Sequence, residues 1–224
     1  MIDKLSPIVH FDFDGTLVRV ADRKYSRQNA RKYPLQPVPG AIKFIEGFKS
    51  QGVDLGSIIS RRPEMRERIT RVSLRDAELQ GYFPDSYMDI RLMGQLFPWW
   101  KSEANKAQEV VRSAADRVTG MVEDKPHNLG HEMIKIMMAA DAEQIFEPVV
   151  VGVVDHPDAE KRISKLVDGV RGEFGDTVTV DEENGGIQFS KHSGGSFLLD
   201  VVLLDPFSFA AGAGFGERLN DYNI

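Results

Sequence analysis

The apolar positions of the chain fall into two recurring patterns: short, nearly continuous runs, and longer segments whose apolar residues stand three or four apart. The runs Pro7 to Phe13, Val53 to Ser60, Met88 to Met93, Val118 to Val122 and Pro148 to Val154 read as strands covered on both faces. Between them lie segments of helical period. Pro39-Gly40 opens a helix with Ile42, Phe44, Ile45 and Phe48 as its apolar residues, closed by Gly52. Pro63 to about Leu79 carries Met65, Ile69 and Val72 at helical spacing, with Pro63 suited to the first turn. Ser102 to Ala115 shows a stripe of Ala104, Ala107, Val110, Val111 and Ala114, and a further helix is expected from about Leu129 to Ala142. This alternation predicts an α/β fold, a doubly wound and mostly parallel sheet with helices on both faces. Sites in such folds lie at the carboxyl ends of the strands.

The remainder has a different pattern. Asp158 to Phe174 is helical, TVTVDEENGGIQF reads as two strands joined at Asn184-Gly185-Gly186, and SFLLDVVLL adds another strand. Phe207 to Ile224 is expected to be loop, and its GAGFG is too poorly framed to be a dinucleotide fingerprint. The chain is thus divided into a core over residues 1–155, with a small insert at about 19–37, and a β-rich α+β extension over residues 156–224, packed on that core.

Composition narrows the chemistry. With 224 residues, 42% of them apolar, the chain can bury one substantial core. No run is long enough to span a bilayer, and MIDKLSPIV lacks the marks of a signal peptide. The absence of cysteine excludes disulfides and thiolate chemistry and is compatible with a cytoplasmic location. A net charge of −6 argues against a general nucleic-acid coat protein. Charge is nevertheless segregated: Arg19, Arg23, Lys24, Arg27, Arg31 and Lys32 stand against one Asp22, and Arg61, Arg62, Arg66, Arg68, Arg71 and Arg75 form a second basic stretch. Both runs have the composition of solvated faces.

The candidate chemistry lies in HFDFDGTLV. Asp12 and Asp14 follow the first apolar run, and in extended chain residues two apart point the same way, so both carboxylates can converge on one point. Gly15 permits a tight turn, and Thr16 adds a hydroxyl and an amide for an anion. The spacing does not fit an EF-hand calcium loop. Three later stations follow in order. Ser60 ends the second strand ahead of Arg61-Arg62-Pro63, Lys101 and Lys106 lie at the start of the helix before the fourth strand, and Glu123-Asp124 end that strand with Asn128 four residues on.

FDFDGTL with these stations resembles the haloacid dehalogenase-like (HAD) superfamily over about residues 7–155. The resemblance implies a HAD-like Rossmannoid phosphatase, an enzyme hydrolysing phosphate monoesters through an aspartyl-phosphate on Asp12. It implies Asp14 as general acid/base, Ser60 and the motif lysine as phosphoryl-holding groups, and Gly15, Thr16 and Arg61 beside them. Lys106 matches the shorter spacing of polynucleotide phosphatases and is preferred; Lys101 matches the longer spacing of sugar-phosphate phosphatases. Magnesium would be held by Asp12, Asp14 and Asp124, supported by Glu123 and Asn128, since an all-oxygen set selects a hard cation. The family's usual Asp stands here as Asn128. The short gap between the first two stations resembles minimally capped members, whose open sites admit large substrates. A phosphorylated substrate is expected, with nucleic-acid ends or nucleotides allowed, no membrane, and an oligomer conceivable through the extension. The rivals are a phosphotransferase or mutase using the same intermediate, and a HAD-fold binding protein without turnover. His127, His131, His156 and His192 read as surface or packing residues, and Trp99-Trp100 as core or interface.

Overall fold

Alternation along the central strand divides the interior into two cores, one on each face of a single sheet. The computed structural model describes residues 4–20, 35–63, 67–83, 90–94, 101–141, 143–154, 157–183, 186–191, 197–204 and 207–223. In chain order its elements are β1 (Ile8–Phe11), the short strands β2 (Val18–Val20) and β3 (Leu35–Pro37), α1 (Ala41–Lys49), β4 (Asp54–Pro63), α2 (Glu67–Asp76), β5 (Ile90–Gly94), α3 (Lys101–Ser113), β6 (Thr119–Glu123), α4 (Pro126–Ala139), β7 (Val149–Val153), α5 (Ala159–Phe174), β8 (Val178–Glu183), β9 (Gly186–Lys191), β10 (Leu198–Leu203) and α6 (Phe209–Tyr222).

Eight strands form one sheet in the order β5-β4-β1-β6-β7-β10-β9-β8. All pairings from β5 to β10 are parallel; β9 runs antiparallel to both β10 and β8. The fold class is therefore α/β with a mostly parallel sheet flanked by helices. Val9, Phe11, Ile58, Val122 and Val202 face one core with Phe44 and Phe48 of α1 and Phe215 and Leu219 of α6. Ile59, Met121, Val151 and Val201 face the other, with Ala107 and Val110 of α3, Met133 of α4 and Leu166 of α5. Residues 156–224 continue the same sheet: β10 pairs with β7 from Leu199–Val149 to Leu203–Val153, and α6 packs on α1. No helix among the described residues is long and apolar enough to cross a membrane.

Four expectations are corrected. Pro63 does not open a helix; it ends β4 opposite Gly94, and the next helix, α2, is Glu67–Asp76. Ser60 consequently lies inside β4 rather than at a helix N-terminus. Helix α4 begins at Pro126, three residues before Leu129, with the proline at its first turn. The supposed loop after Phe207 is mostly α6. Its buried positions Gly212, Phe215, Gly216 and Leu219 have full helical period, but two of them are glycines, which a reading by hydrophobicity passes over. Ser208 caps it, accepting from the Ala211 N–H at 3.0 Å.

The glycines set the distance between α1 and α6. A Cβ at Gly212 would lie 2.0 Å from the Phe44 carbonyl oxygen, and one at Gly47 2.1 Å from that of Phe209. That contact lets Phe207 stack on Phe44 at 4.5 Å between ring centres. Below it, fully buried Asp200 of β10 accepts from Arg218 Nε at 2.5 Å and Nη2 at 3.0 Å, and from the Tyr222 hydroxyl at 3.0 Å. Gln188 of β9 donates to Tyr222 Oη at 3.0 Å, so one buried carboxylate ties α6 to two strands.

Two predictions follow from this packing. Gly212→Ala should lose on the order of 1–3 kcal/mol by overpacking against backbone. Gly214→Ala, whose Cβ would meet nothing within 4 Å, should gain about 0.5–1 kcal/mol by helix propensity. Urea unfolding of both variants checks the opposite signs. The second concerns alkaline pH. Burial, and then the Asp200 charge, push the Tyr222 phenol from 10.0 up to about 12. A raised folded-state value adds stability that is complete below pH 10 and is lost as pH rises through about 12. The stability difference between wild type and Tyr222→Phe should therefore shrink across that window, read from unfolding midpoints at pH 9 and at pH 11.5.

Candidate functional site

The strand order reverses at β1: the chain builds outward through β4 and β5, and α3 then carries it back to β6 on the other side of β1. The crevice of such a sheet opens beyond the carboxyl ends of β1 and β6. Asp12 follows β1 directly, and its N–H extends the ladder to the Val122 carbonyl at 2.9 Å. Because Val9 and Phe11 face one core, His10 and Asp12 face α3. His10 accepts from the Ser57 N–H at Nδ1, 3.0 Å, which leaves its ring proton on Nε2 to be donated to Ser113 Oγ at 2.9 Å. The imidazole thus fastens β1 to β4 and α3 two residues before the carboxylate.

Asp12, Glu123 and Asp124 come together. All three are buried, and one ligand oxygen from each lies within 4.8 Å of the others. Lys106, 1% exposed, stands among them with its Nζ donating to Asp12 Oδ1 at 2.7 Å and to Glu123 Oε2. Glu123 Oε1 in turn accepts from the Lys125 N–H at 2.9 Å, so both of its oxygens are engaged. Burial and the neighbouring Glu123 charge push Asp12 up to about 6 against the pull of Lys106. Burial acts to lower the Lys106 ammonium, but Asp12, Glu123 and Glu103 overrule it and hold it above its ordinary value.

Asp124 differs from Glu123. Its Oδ2 lies 3.1 Å from Lys125 Nζ and 3.5 Å from Arg162 Nη1, which also donates to the Asp124 main-chain carbonyl. Its Oδ1 is buried with no hydrogen-bond partner. A buried carboxylate oxygen without a partner costs free energy unless a cation meets it, and the all-oxygen donor set beside it suits a hard metal ion. The residues present therefore fit a divalent cation held by Asp12 and Asp124.

The loop after Asp12 is shaped for close approach. Gly15 has φ 92°, its N–H bonds the Val18 carbonyl at 2.8 Å, and a Cβ there would lie 2.9 Å from Asp124 Oδ2. Asp14 is exposed on this loop and bridges Val18. Thr16 is fully buried, with an Oγ1 that has no partner. Strands β2 and β3 pair antiparallel, with Val18, the residue that Asp14 bridges, opposite Pro37.

Of the other expected site residues, Ser60 is buried on β4, next to β1, and Asn128 is exposed on the first turn of α4. Lys101 begins α3. Five residues separate it from Lys106, about 140° of helix, so one helix face cannot present both to the carboxylates. Arg61 lies in β4; its side chain and that of Lys101 are outside the described residues. Also outside are the basic run from Arg23 to Lys32, Trp99-Trp100, His156 and His192. His127 is half-buried on α4, and His131 pairs with Glu173 at 2.9 Å. Arg162 and Lys125 were not foreseen. The topology offers a signal for Arg162: it lies in the first turn after β7, neighbour of β6, on the same edge of the sheet as Asp124.

Comparison of the chain with family models, with curated proteins and with solved structures returns no match in any of the three.

The cost of ionising Asp12 is testable apart from any activity. With a folded-state value raised from 3.8 to about 6, the wild-type carboxyl contributes stability below the lower value that is lost as pH rises through the higher, so in metal-free buffer the stability of wild type relative to Asp12→Asn should fall between pH 4 and pH 7. Denaturant titrations at pH 4 and pH 7 measure it, and a difference that stays constant would mean that the Lys106 bond offsets burial and repulsion.

Proposed function

We propose that the chain is a magnesium-dependent phosphatase of the haloacid dehalogenase-like type, acting on a phosphate monoester. The observation that carries this reading is the convergence of Asp12, Glu123 and Asp124 around buried Lys106 at the β1/β6 crevice, with the Asp14-Gly15-Thr16 turn beside it. Three crowded carboxylates and a buried lysine cost free energy that a fold alone does not require, and phosphoryl transfer requires such positioning and charge neutralisation.

In this reading magnesium would be held by Asp12, the main-chain carbonyl of Asp14 and Asp124, and would supply charge neutralisation for the phosphoryl oxygens. Asp12 is the nucleophile: a carboxylate oxygen forms a bond to phosphorus as the ester P–O bond breaks, giving an aspartyl-phosphate. Asp14, exposed beside it, donates a proton to the departing alcohol oxygen. It then takes one from the water that attacks phosphorus, returning Asp12 and inorganic phosphate. Lys106 keeps Asp12 ionised and bonded through Oδ1 while the reaction proceeds. Glu123, saturated by Lys106 and the Lys125 N–H, holds the lysine rather than the metal. Ser60, Thr16 and Arg61 are assigned to the phosphoryl oxygens, and Asn128 to support of the metal site.

The stretch of sequence between β2 and β3 is too short for a folded cap, and a large or polyanionic substrate such as a nucleic-acid end or a nucleotide is the class we favour. We place the protein in the cytoplasm, which its cysteine-free composition permits. The test is hydrolysis of p-nitrophenyl phosphate with magnesium and with a chelator, followed by phosphorylated oligonucleotides, nucleotides, sugar phosphates and phosphopeptides. Turnover should need magnesium and fall at least about a thousandfold in Asp12→Asn. Asp14→Asn should lose about 10²–10⁴ in rate. An Asp12→Asn variant near the wild-type rate would overturn the mechanism, and a folded protein inactive on the whole panel would favour a binding role.

A further inference from the structure

Asp124 is fixed from three directions, and one of them comes from a helix that the HAD-like resemblance does not reach. The Gly15 backbone lies close on one side, since a Cβ added there would stand 2.9 Å from Oδ2. Lys125 Nζ lies 3.1 Å from the same oxygen. The third direction is Arg162 on α5, whose Nη1 donates to the Asp124 carbonyl and lies 3.5 Å from Oδ2. Its side chain is 16% exposed, so little of the guanidinium is left to solvent. Both cations engage Oδ2, and Oδ1 is the oxygen left buried and unpartnered.

A carboxylate that can turn about its Cβ–Cγ bond offers a cation either oxygen at either angle. Engaging Oδ2 from outside and the main-chain carbonyl from the same nitrogen removes that freedom and leaves Oδ1 as the oxygen to be supplied. Groups that orient a ligand in this way tune metal affinity without touching the metal. We infer that Arg162 is a positioning residue for the metal site, aligning Asp124 so that Oδ1 serves as the ligand atom. The inference rests on the reading that this carboxylate group binds a divalent cation, and it brings α5 into the construction of the site.

The sign of the effect separates positioning from plain electrostatics. If Arg162 acted only as a nearby positive charge, its removal would strengthen binding of a cation. As a positioning group, its removal weakens it. The experiment is calorimetric titration of the whole chain with Mg2+ and with Mn2+, without substrate, for wild type, Arg162→Met, Arg162→Lys and Lys161→Met. Lys161, exposed on the same helix turn, controls for loss of one charge. Arg162→Met should bind about 10–100-fold more weakly. Arg162→Lys, which keeps the charge without the planar fork, should fall between it and wild type, and Lys161→Met should match wild type. With a phosphate ester, kcat of Arg162→Met should recover at saturating metal and KM for the ester should not move. Metal affinity unchanged or higher in a folded Arg162→Met overturns the inference. So does a raised KM for the ester with metal affinity intact, which would make Arg162 a substrate contact. If Arg162→Met does not fold, Arg162→Lys with wild-type affinity overturns it equally. Wild type that binds neither ion overturns it as well. Wild type that binds metal but hydrolyses no ester ends the phosphatase reading and leaves the role of Arg162 standing.

Discussion

Lys106 is the constraint from which the rest of the site can be derived. A lysine ammonium that is 1% exposed is stable only if anions surround it, and this one is held by Asp12 and Glu123 with Glu103 on its own helix nearby. The two partners stand at the carboxyl ends of adjacent parallel strands, so the lysine draws α3 across the β1/β6 seam. The same seam is where the strand order reverses. Fold and charge thus select one place: the helix that must cross over the sheet carries the cation, and the strands that flank the crossover carry the anions. Replacement of such a group by apolar residues of equal volume is often neutral or stabilising. Its presence is therefore weak evidence for stability.

Alternation of side chains makes that arrangement affordable to a two-sided sheet. Val9 and Phe11 fill the α1/α6 core, while His10 and Asp12, between and after them, serve the α3 face. A one-residue slip of β1 would put Phe11 against Lys106 and Asp12 in the core with Phe48, so the register is fixed by both cores at once. The His10 bonds to Ser57 and Ser113 add a polar pin of the same parity. The same economy appears on the opposite face, where Asp200 sits in β10 between apolar neighbours and is satisfied by Arg218 and Tyr222.

What the sequence made legible follows from which signals are local. The parallel strands are continuous apolar runs, and their order with the intervening helices predicted the sheet and its crevice. Asp12, Lys106, Glu123 and Asp124 were named by the resemblance that FDFDGTL and its later stations carry, and the structure brings these four together. Motif spacing preferred Lys106 over Lys101, and about 140° of helix rotation separates the two positions on α3. Helix α6 was hidden because its contact positions are glycines, whose value lies in the neighbouring backbone and not in hydrophobicity. Pro63 reads as a helix opener by propensity, yet strand pairing with β5 carries β4 up to it. Arg162 was beyond reach, since it meets Asp124 across 38 positions of sequence and one arginine of a basic helix looks like another.

The far C-terminal segments then cease to be separable from the site in physical terms. Strand β10 covers the edge that β7 would otherwise expose, and with it comes α6. Phe207 and Phe215 from this region stack on and beside Phe44, which packs the face of the sheet behind β1. Helix α5 packs on α4, and α4 begins two residues after Asp124. Strain or loosening in α5 therefore reaches the carboxylates through two routes, the Arg162 bond and the α4 contact. A site whose carboxylates stand at the ends of β1 and β6 is held in shape by helices from both halves of the chain. That is the expected outcome when the crevice lies in the middle of a sheet and the sheet is completed only by its last strands.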